Sequence, residues 1–340
     1  MPFMKPPVWS QIAVLLCSCA ASASPLETLF DAEDVLSIEL RGPLRATMND
    51  TRNRGSREFV LTAGGREFKV SAKLRGNSRV RACRFRPLHL EFSATDTRNS
   101  IFEGQGKLKL VTHCRESDAY EQNVLEEYAA YRIFALLSDV ALRTRLLKIR
   151  YIDTGKKTPE PVVRYGFLIE SDTELAARAG GKKMHVAGVN RLTLNTRQAA
   201  TTFAFQYLIG NTDWGLVTAI GDMHCCHNGI MLDIGGSHYF VPYDFDQAGL
   251  VNARYAKPAR NVGAGSVRTR RYRGYCIDGM DEGVGIAAIE ARKQDILELV
   301  AGLPAANAKV LESRMAYLQE YFDAARNPGE LAADFRSRCL

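Results

Sequence analysis

The sequence predicts an α+β fold with a β-rich first half and a mainly helical second half. From Val35 to Leu110, short segments such as REFVLT and KLKLV alternate apolar and polar residues with a period of two, and turn glycines separate them. Residues 118–137 and much of the chain after Glu170 instead carry apolar residues at helical spacing. We therefore expect one catalytic unit in two parts, a β-rich part over residues 24–170 and a mainly helical part over residues 171–340.

The chain has 340 residues, of which 46% are hydrophobic and 24% charged, and this composition is typical of a protein with a packed core. Its formal net charge of +7 favours acidic partners or nucleotide phosphates, although such a balance also serves solubility.

The first residues have the pattern of an export signal. Lys5 precedes an apolar run over Ile12–Leu16, and Ala21-Ser22-Ala23 offers a small-residue cleavage site, so residues 1–23 are a predicted signal peptide. The run is too short to span a bilayer, and no transmembrane segment is expected. Lipidation at Cys19, within Leu-Cys-Ser-Cys, is the alternative. Export to the periplasm or the medium argues against nucleic acid as a partner.

The cysteines outside this leader predict disulfides, because they are even in number in an exported chain. They are Cys83, Cys114, Cys225, Cys226, Cys276 and Cys339. Cys83 and Cys114 are the first expected pair, since both lie in the β-rich half. Cys225 or Cys226 is expected to pair with Cys276 or Cys339. Such a disulfide would fix the segment between Asp213 and Asn228 to the helical half.

Two features of the β-rich half could bind phosphate. Arg75, in LRGNSR, stands beside a glycine at a strand end and could help to cradle phosphate oxygens, although a plain turn explains the string as well. Lys107 and Lys109 share one face of the KLKLV strand. That face either lines a cleft, so that one lysine reaches phosphates, or meets solvent.

The predicted helix over residues 118–137 carries a candidate carboxylate. Val124, Tyr128 and Tyr131 recur at helical spacing and mark its buried stripe. Glu126 points almost opposite this stripe, whereas Glu127 lies at its edge and could reach a neighbouring lysine. The alternative for both is a solvated glutamate.

The stretch from Phe203 to Asp246 carries the strongest functional signal. Asp213, Asn228 and Asp244 each follow an apolar segment that could hold the side chain rigidly. Hard oxygen ligands of this kind suit Mg²⁺ or Mn²⁺, and a metal-bound phosphate needs such ligands together with a base for the attacking hydroxyl. Asp246 and His227 are additional candidate site residues.

In these motifs the chain resembles the spore-coat protein H (CotH) kinase family. The matching pieces, in the family's order, are LRGNSR (74–79), the KLKLV strand, EEYAAYRIF (126–134), YGFLIES (165–171), LIGNTDW (208–214), HNG (227–229) and FVPYDFD (240–246). The resemblance implies a two-lobed protein-kinase-like fold, with a β-rich N-terminal lobe and a mainly helical C-terminal lobe. It also implies ATP with Mg²⁺ or Mn²⁺ as cofactor.

The resemblance assigns a role to each matching residue. Asp213 would orient or deprotonate the acceptor hydroxyl, and Asn228 and Asp244 would bind the metal. Lys109, in preference to Lys107, would contact phosphate with Glu127 as its helix partner. The YGFLIES strand would lead to the segment whose backbone meets adenine.

One departure from the family pattern concerns the spacing of the site. Asp213 and Asn228 are 15 positions apart, whereas protein kinases separate the corresponding pair by about five, so the extra residues must loop out. This insertion contains His224-Cys225-Cys226-His227, a run that could ligate zinc. Neighbouring side chains diverge, however, and export favours disulfides, so no zinc is expected.

The leading functional hypothesis is an exported ATP-dependent kinase that phosphorylates a hydroxyl group, on a protein Ser or Thr or on another acceptor. One alternative is a secreted or surface-attached binding protein that does not turn over nucleotide. A second alternative is nucleotidyl transfer to protein by the same residues.

Overall fold

The computed structural model describes Met1 and residues 28–217, 225–259, 262–304 and 306–340. Apart from Met1, the predicted signal peptide with Cys19 lies outside the described residues. His224, the first residue of the His-Cys-Cys-His run, lies outside them as well. The export signal and the lipid anchor therefore stay predictions.

Within the described chain, seven strands close into a barrel. They are β1 (Leu36–Gly42), β2 (Arg57–Ala63), β3 (Arg66–Leu74), β4 (Leu88–Phe92), β5 (Lys107–Val111), β6 (Thr144–Asp153) and β7 (Val162–Ile169). The order around the barrel is β1-β2-β3-β4-β5-β7-β6. Neighbouring strands run antiparallel, except that β1 and β6 pair in parallel and join the two edges of the sheet.

This closed barrel shows that the expected two-lobed protein-kinase-like fold is wrong. The α+β class itself is right, because the barrel is accompanied by helices throughout the rest of the described chain. Alternation along a strand specifies which face is apolar, but closure depends on pairing between strands that lie far apart in sequence. Here Leu36 pairs with Leu147, a contact that local pattern cannot predict.

The barrel interior is filled by the apolar face of each strand, as the period of two requires. Fully buried residues on this face include Leu40, Leu61, Ala72, Leu90, Leu108, Ile149 and Leu168. Two short helices, α1 (Leu44–Asn49) and α2 (Ser78–Ala82), connect barrel strands. The residue that ends α2, Cys83, forms the predicted disulfide with Cys114, which follows β5.

A second core surrounds the longer helices. These are α3 (Asp118–Leu137), with the predicted bounds, α4 (Asp172–Arg178), α5 (Thr196–Leu208), α6 (Glu282–Ala291), α7 (Lys293–Ala301), α8 (Ala308–Ala324) and α9 (Pro328–Arg338). Phe134 of α3 packs on Phe205 of α5 with ring centroids 4.9 Å apart. None of the helices within the described ranges is long and apolar enough to cross a membrane.

A small sheet leads from α4 and α5 to the candidate site. It has the order β10-β9-β8, with β8 at Lys182–Lys183, β9 at Gly229–Ile234 and β10 at Ser237–Pro242. Antiparallel pairing of β9 and β10 brings Gly229 opposite Pro242. The residues just before β9 and just after β10 are therefore neighbours.

The remaining disulfides differ from the predicted pairing. Cys225 is bonded to its neighbour Cys226, and Cys276 is bonded to Cys339. The predicted cross-link from Cys225 or Cys226 to either of the distant cysteines is therefore wrong. Cys276 instead holds the end of α9, because Cys339 is the residue that ends that helix.

Truncating a core side chain of the barrel should be costly. Leu61 is fully buried, so we expect Leu61→Ala to lower the free energy of unfolding by about 2–5 kcal/mol. Leu192→Ala is the matched control, because Leu192 is 78% exposed and its truncation should change stability little. Urea unfolding measures both. Equal effects of the two substitutions would contradict the inward orientation of Leu61.

Candidate functional site

The turn that carries Asp213 begins directly after α5. Gly210 has a φ of 65°, and a Cβ at this position would lie 2.0 Å from the hydroxyl oxygen of Tyr317, so the turn requires glycine. The Asn211 side chain, in a residue that is 1% exposed, accepts a hydrogen bond from the Asp213 amide nitrogen at 3.0 Å. Trp214 Nε1 donates to the Asn211 carbonyl oxygen at 3.1 Å. These bonds fix the backbone of Asp213.

Three side chains meet at this turn and form what we call the aspartate cluster, Asp213, His227 and Asn228. His227 Nε2 lies 2.9 Å from Asp213 Oδ1. Asn228 Nδ2 donates to Asp213 Oδ2 at 3.1 Å and to the Asp213 carbonyl oxygen at 2.7 Å. The Asp213 side chain is 34% exposed, so its carboxylate is oriented by two neighbours and is still accessible to a substrate.

The extra residues between Asp213 and Asn228 leave this contact intact. The Gly215 amide donates to the His227 carbonyl oxygen at 3.2 Å, and the His227 amide donates to the Val217 carbonyl oxygen at 3.1 Å. These backbone bonds close the base of the insertion, whose residues 218–224 lie outside the described part of the chain.

Asp244 is connected to the aspartate cluster through the backbone. The Tyr243 amide donates to the Asn228 carbonyl oxygen at 3.1 Å, and the Asp244 amide donates to the Tyr131 hydroxyl of α3 at 2.8 Å. Asn228 and Asp244 have φ values of 49° and 61°, a left-handed conformation that is rare outside glycine and is often found at functional sites.

A buried arginine binds Asp244 from the other side. Arg79 of α2, which is 5% exposed, donates to Glu127 Oε1 at 2.6 Å, to Asp244 Oδ1 at 3.0 Å and to Asp246 Oδ2 at 2.9 Å. We call these four residues the arginine network. One cation thus holds carboxylates from α3 and from the segment after β10 in a single place.

The arginine network contains more carboxylates than cations, and its pKa values follow from that imbalance. Burial raises the pKa of Glu127 to about 7 and that of Asp246 to about 6, although Arg79 opposes both shifts. Repulsion from Asp244 adds to the rise in both cases. These two carboxyls therefore exchange protons much closer to neutral pH than ordinary carboxyls do.

The predicted pairing of Lys109 with Glu127 is wrong. Glu127 binds Arg79, while Lys109 Nζ donates to Asp172 Oδ1 of α4 at 2.8 Å. Burial lowers the pKa of Lys109, and the negative charge of Asp172 partly opposes this shift. Lys183 donates to the other oxygen of Asp172 at 2.7 Å, and despite burial the two lysines hold the pKa of Asp172 at about 2.

Lys109 still lies near the site, because its Nζ is 5.0 Å from the ring centroid of Tyr243, the residue before Asp244. Arg75 lies close enough for its charge to help lower the pKa of Lys109. Lys107 is different, since its side chain is 64% exposed and pairs with Glu91 at 3.4 Å on the barrel surface. Lys107 therefore faces solvent, which is the alternative that the strand pattern left open.

A cavity of about 280 Å³ opens beside Lys183 and Asp172. Its walls mix apolar and polar groups, and its described lining residues include Ile230, Met231, Tyr243, His185 and the Cys225–Cys226 disulfide. The volume lies just below the usual range for small-molecule sites. The cavity connects the Lys109 region to the strand that follows the aspartate cluster.

Cys225 and Cys226 do not fit zinc, because a cysteine ligates zinc as a thiolate and these two are joined in a disulfide. Over the described residues, no group of three or more His, Cys, Asp and Glu side chains is arranged to hold a metal ion by itself.

Magnesium or manganese fits the donor set better. The side chains of Asp213 and Asp244 are 34% and 31% exposed, so their carboxylates can reach a metal ion. The Asn228 amide nitrogen donates to Asp213, which leaves the amide oxygen as a hard ligand. Mg²⁺ is usually held by one or two carboxylates and completed by phosphates and water, so a complete protein cage is not required.

Sequence reasoning missed Arg79, which binds three carboxylates at the site. Arg79 lies in the LRGNSR segment, but the phosphate contact was assigned to Arg75, which stands next to the turn glycine. No local signal distinguished it, because α2 also contains exposed residues such as Ser78 and Arg81, and the burial of Arg79 follows from contacts with distant carboxylates.

Comparison of the chain with protein-family models and with curated proteins gave no match. The function is therefore inferred from the geometry above and from the motif resemblance.

Glu127 should make stability depend on pH. Its pKa is raised from 4.5 to about 7 in the folded protein, so it stabilises the fold below pH 4.5 and this contribution is lost as the pH rises through 7. We expect Glu127→Gln to remove this fall in the free energy of unfolding, measured by urea unfolding across that range. Glu67→Gln, at an exposed strand position, should keep the wild-type slope. A wild-type slope in Glu127→Gln would contradict the burial of this carboxyl.

Proposed function

We propose that the chain is an exported phosphotransferase that moves the γ-phosphoryl group of ATP, with Mg²⁺ or Mn²⁺, to a hydroxyl group, in the first instance Ser or Thr of a protein. The observation that carries the proposal is the contact of the Asn228 amide with Asp213, which lies 15 positions away in sequence. One backbone hydrogen bond joins this cluster to Tyr243, the residue before Asp244. Phosphoryl transfer needs a base, an amide and a carboxylate in such proximity.

Asp213 is the proposed base. His227 and Asn228 hold its two carboxylate oxygens at 2.9 Å and 3.1 Å, so the group is oriented before a substrate arrives. In the proposed reaction Asp213 accepts the hydroxyl proton of the acceptor, and the hydroxyl oxygen attacks the γ-phosphorus as the bond to ADP breaks.

Asn228 and Asp244 are the proposed metal ligands. Asp244 Oδ1 accepts a hydrogen bond from Arg79, so Oδ2 is the proposed metal ligand. A bound Mg²⁺ or Mn²⁺ ion would neutralise charge on the β- and γ-phosphates. Tyr131 and Arg79 hold the Asp244 backbone and side chain, respectively, and position the ligand.

Lys109 is the proposed phosphate contact, with Arg75 nearby, and the cavity of about 280 Å³ is the proposed site of the nucleotide base. To reach phosphate, Lys109 must exchange Asp172 for a phosphate oxygen. Lys183 remains on Asp172 and compensates its charge during this exchange.

Two further observations support the proposal. The motifs LIGNTDW, HNG and FVPYDFD, which resemble the CotH kinase family, contain the aspartate cluster and Asp244. The disulfides Cys83–Cys114, Cys225–Cys226 and Cys276–Cys339 support export, because disulfides persist in oxidising compartments. The proposal depends on these residues and not on a kinase fold.

Removing the base or a metal ligand should abolish turnover. We expect Asp213→Ala and Asp244→Asn each to lower the rate of label transfer from γ-labelled ATP about 10²–10⁴-fold, because each removes a group that acts on the reacting atoms. Asp323→Asn, on the exposed side of α8, is the matched control and should keep the wild-type rate.

The same assay separates the alternatives. The product mass distinguishes an added phosphoryl group from an added nucleotidyl group. Two results would contradict the proposal. One is a wild-type protein that does not turn over ATP with either metal, which would favour a binding protein. The other is activity that Asp213→Ala and Asp244→Asn both retain.

The two lysines of β5 provide a matched pair. We expect Lys109→Met to raise the KM for ATP or lower kcat by about tenfold or more, because a charge-assisted contact to phosphate is lost. Lys107→Met should change both constants less than twofold, since Lys107 lies on the exposed surface. Equal effects of the two substitutions on steady-state ATP kinetics would exclude Lys109 as the phosphate residue.

A further inference from the structure

A second cavity, of about 760 Å³, lies between α3, residues 250–258 and 265–268, and the first half of α8. It is separate from the cavity beside Asp172, with which it shares no lining residue. Five basic residues line it, namely Arg254, Lys257, Arg268, Lys309 and Arg314. Among its described lining residues, Glu126 is the single acidic one.

Arg314 is the most deeply placed of these cations. Its side chain is 2% exposed, and it donates to Glu126 Oε1 at 2.9 Å and to Gln122 Oε1 at 2.7 Å. Its remaining terminal nitrogen, Nη1, is shielded from solvent and has no hydrogen-bond partner in the described part of the chain. Arg314 therefore contributes positive charge beneath the cavity wall, while its other two guanidinium nitrogens are held by Glu126 and Gln122.

The charges of the other lining residues are not balanced locally. Arg314 neutralises Glu126, which leaves Arg254, Lys257, Arg268 and Lys309 without an acidic partner among the lining residues. Arg268 is already positioned, because it stacks on the Tyr317 ring at 4.5 Å and donates to a backbone carbonyl of α8 at 3.4 Å. Lys257 and Lys309 are exposed at the rim, where they can attract an anion from solvent.

We propose that this cavity is a binding site for a phosphate group, carried as a free ion or as a monoester. Arg254 and Arg268 supply planar guanidinium donors that match a tetrahedral oxyanion, Arg314 adds positive charge beneath them, and Lys257 and Lys309 supply point charges at the entrance. The site is independent of the phosphotransferase proposed above, because it uses neither the aspartate cluster nor Lys109. The two are physically connected through α3, where Glu126 faces Arg314 and the next residue, Glu127, binds Arg79.

Calorimetric titration of the full chain with inorganic phosphate, and separately with O-phosphoserine, tests the site. We expect saturable binding of at least one anion, and a loss of affinity of about tenfold or more in the double variant Lys257→Gln/Lys309→Gln. The control is Lys157→Gln/Arg326→Gln, which removes the same charge at exposed positions outside the cavity and should bind like the wild type. Tighter binding of O-phosphoserine would assign the ester, and equal binding would assign the free ion.

Two results would overturn the proposal. One is no saturable binding of either anion by the wild-type protein. The other is equal weakening in both double variants, which would show a general effect of net charge. Both double variants change exposed side chains, so they keep the fold intact. Arg268→Lys serves as a second probe, because it keeps the positive charge but removes the planar guanidinium donor, and it should weaken binding of the anion.

Discussion

The candidate site depends on one buried ionic interaction, the contact of Arg79 with three carboxylates. Removing a guanidinium from water is costly, and the cost is offset here because Glu127, Asp244 and Asp246 accept its hydrogen bonds at 2.6–3.0 Å. These partners come from α3 and from the segment after β10, so Arg79 fixes the barrel-side helix α2 against both. The Cys83–Cys114 disulfide anchors the end of α2 and thereby the arginine.

This constraint reaches the proposed base through the backbone. Arg79 and Tyr131 hold Asp244 in a left-handed conformation, and the preceding residue donates to the carbonyl oxygen of Asn228. Asn228 is left-handed as well, and its amide binds Asp213. Two residues in this uncommon conformation persist because hydrogen bonds on each side compensate for it. The carboxylates are thus positioned before any ligand binds, which limits the entropy that binding must cost.

Local pattern predicted the local structure well. Period-two alternation located strands such as β5, helical spacing gave the bounds of α3, and membership of one β-rich half predicted Cys83–Cys114. Contacts between distant segments were not predictable, since local pattern does not show which distant strands pair or which distant charges meet. Closure of the barrel by β1 and β6 and the partnership of Glu127 with Arg79 belong to that class. The Cys225–Cys226 bond was missed for a different reason, because only pairing with a distant cysteine was expected. The approach of Asn228 to Asp213 was implied by the family resemblance alone.

In the proposed metal site, Arg79 acts by positioning Asp244. Titration of Mn²⁺ with ATP, followed by electron paramagnetic resonance, measures this in Arg79→Lys, Asp244→Asn and the double variant. Arg79→Lys keeps the positive charge but loses the guanidinium group that binds three carboxylates. We predict that Arg79→Lys and Asp244→Asn each weaken Mn²⁺ binding. If Arg79 acts through Asp244, the double variant binds Mn²⁺ no more weakly than Asp244→Asn alone. Additive losses, or wild-type binding in Arg79→Lys, would contradict the claim.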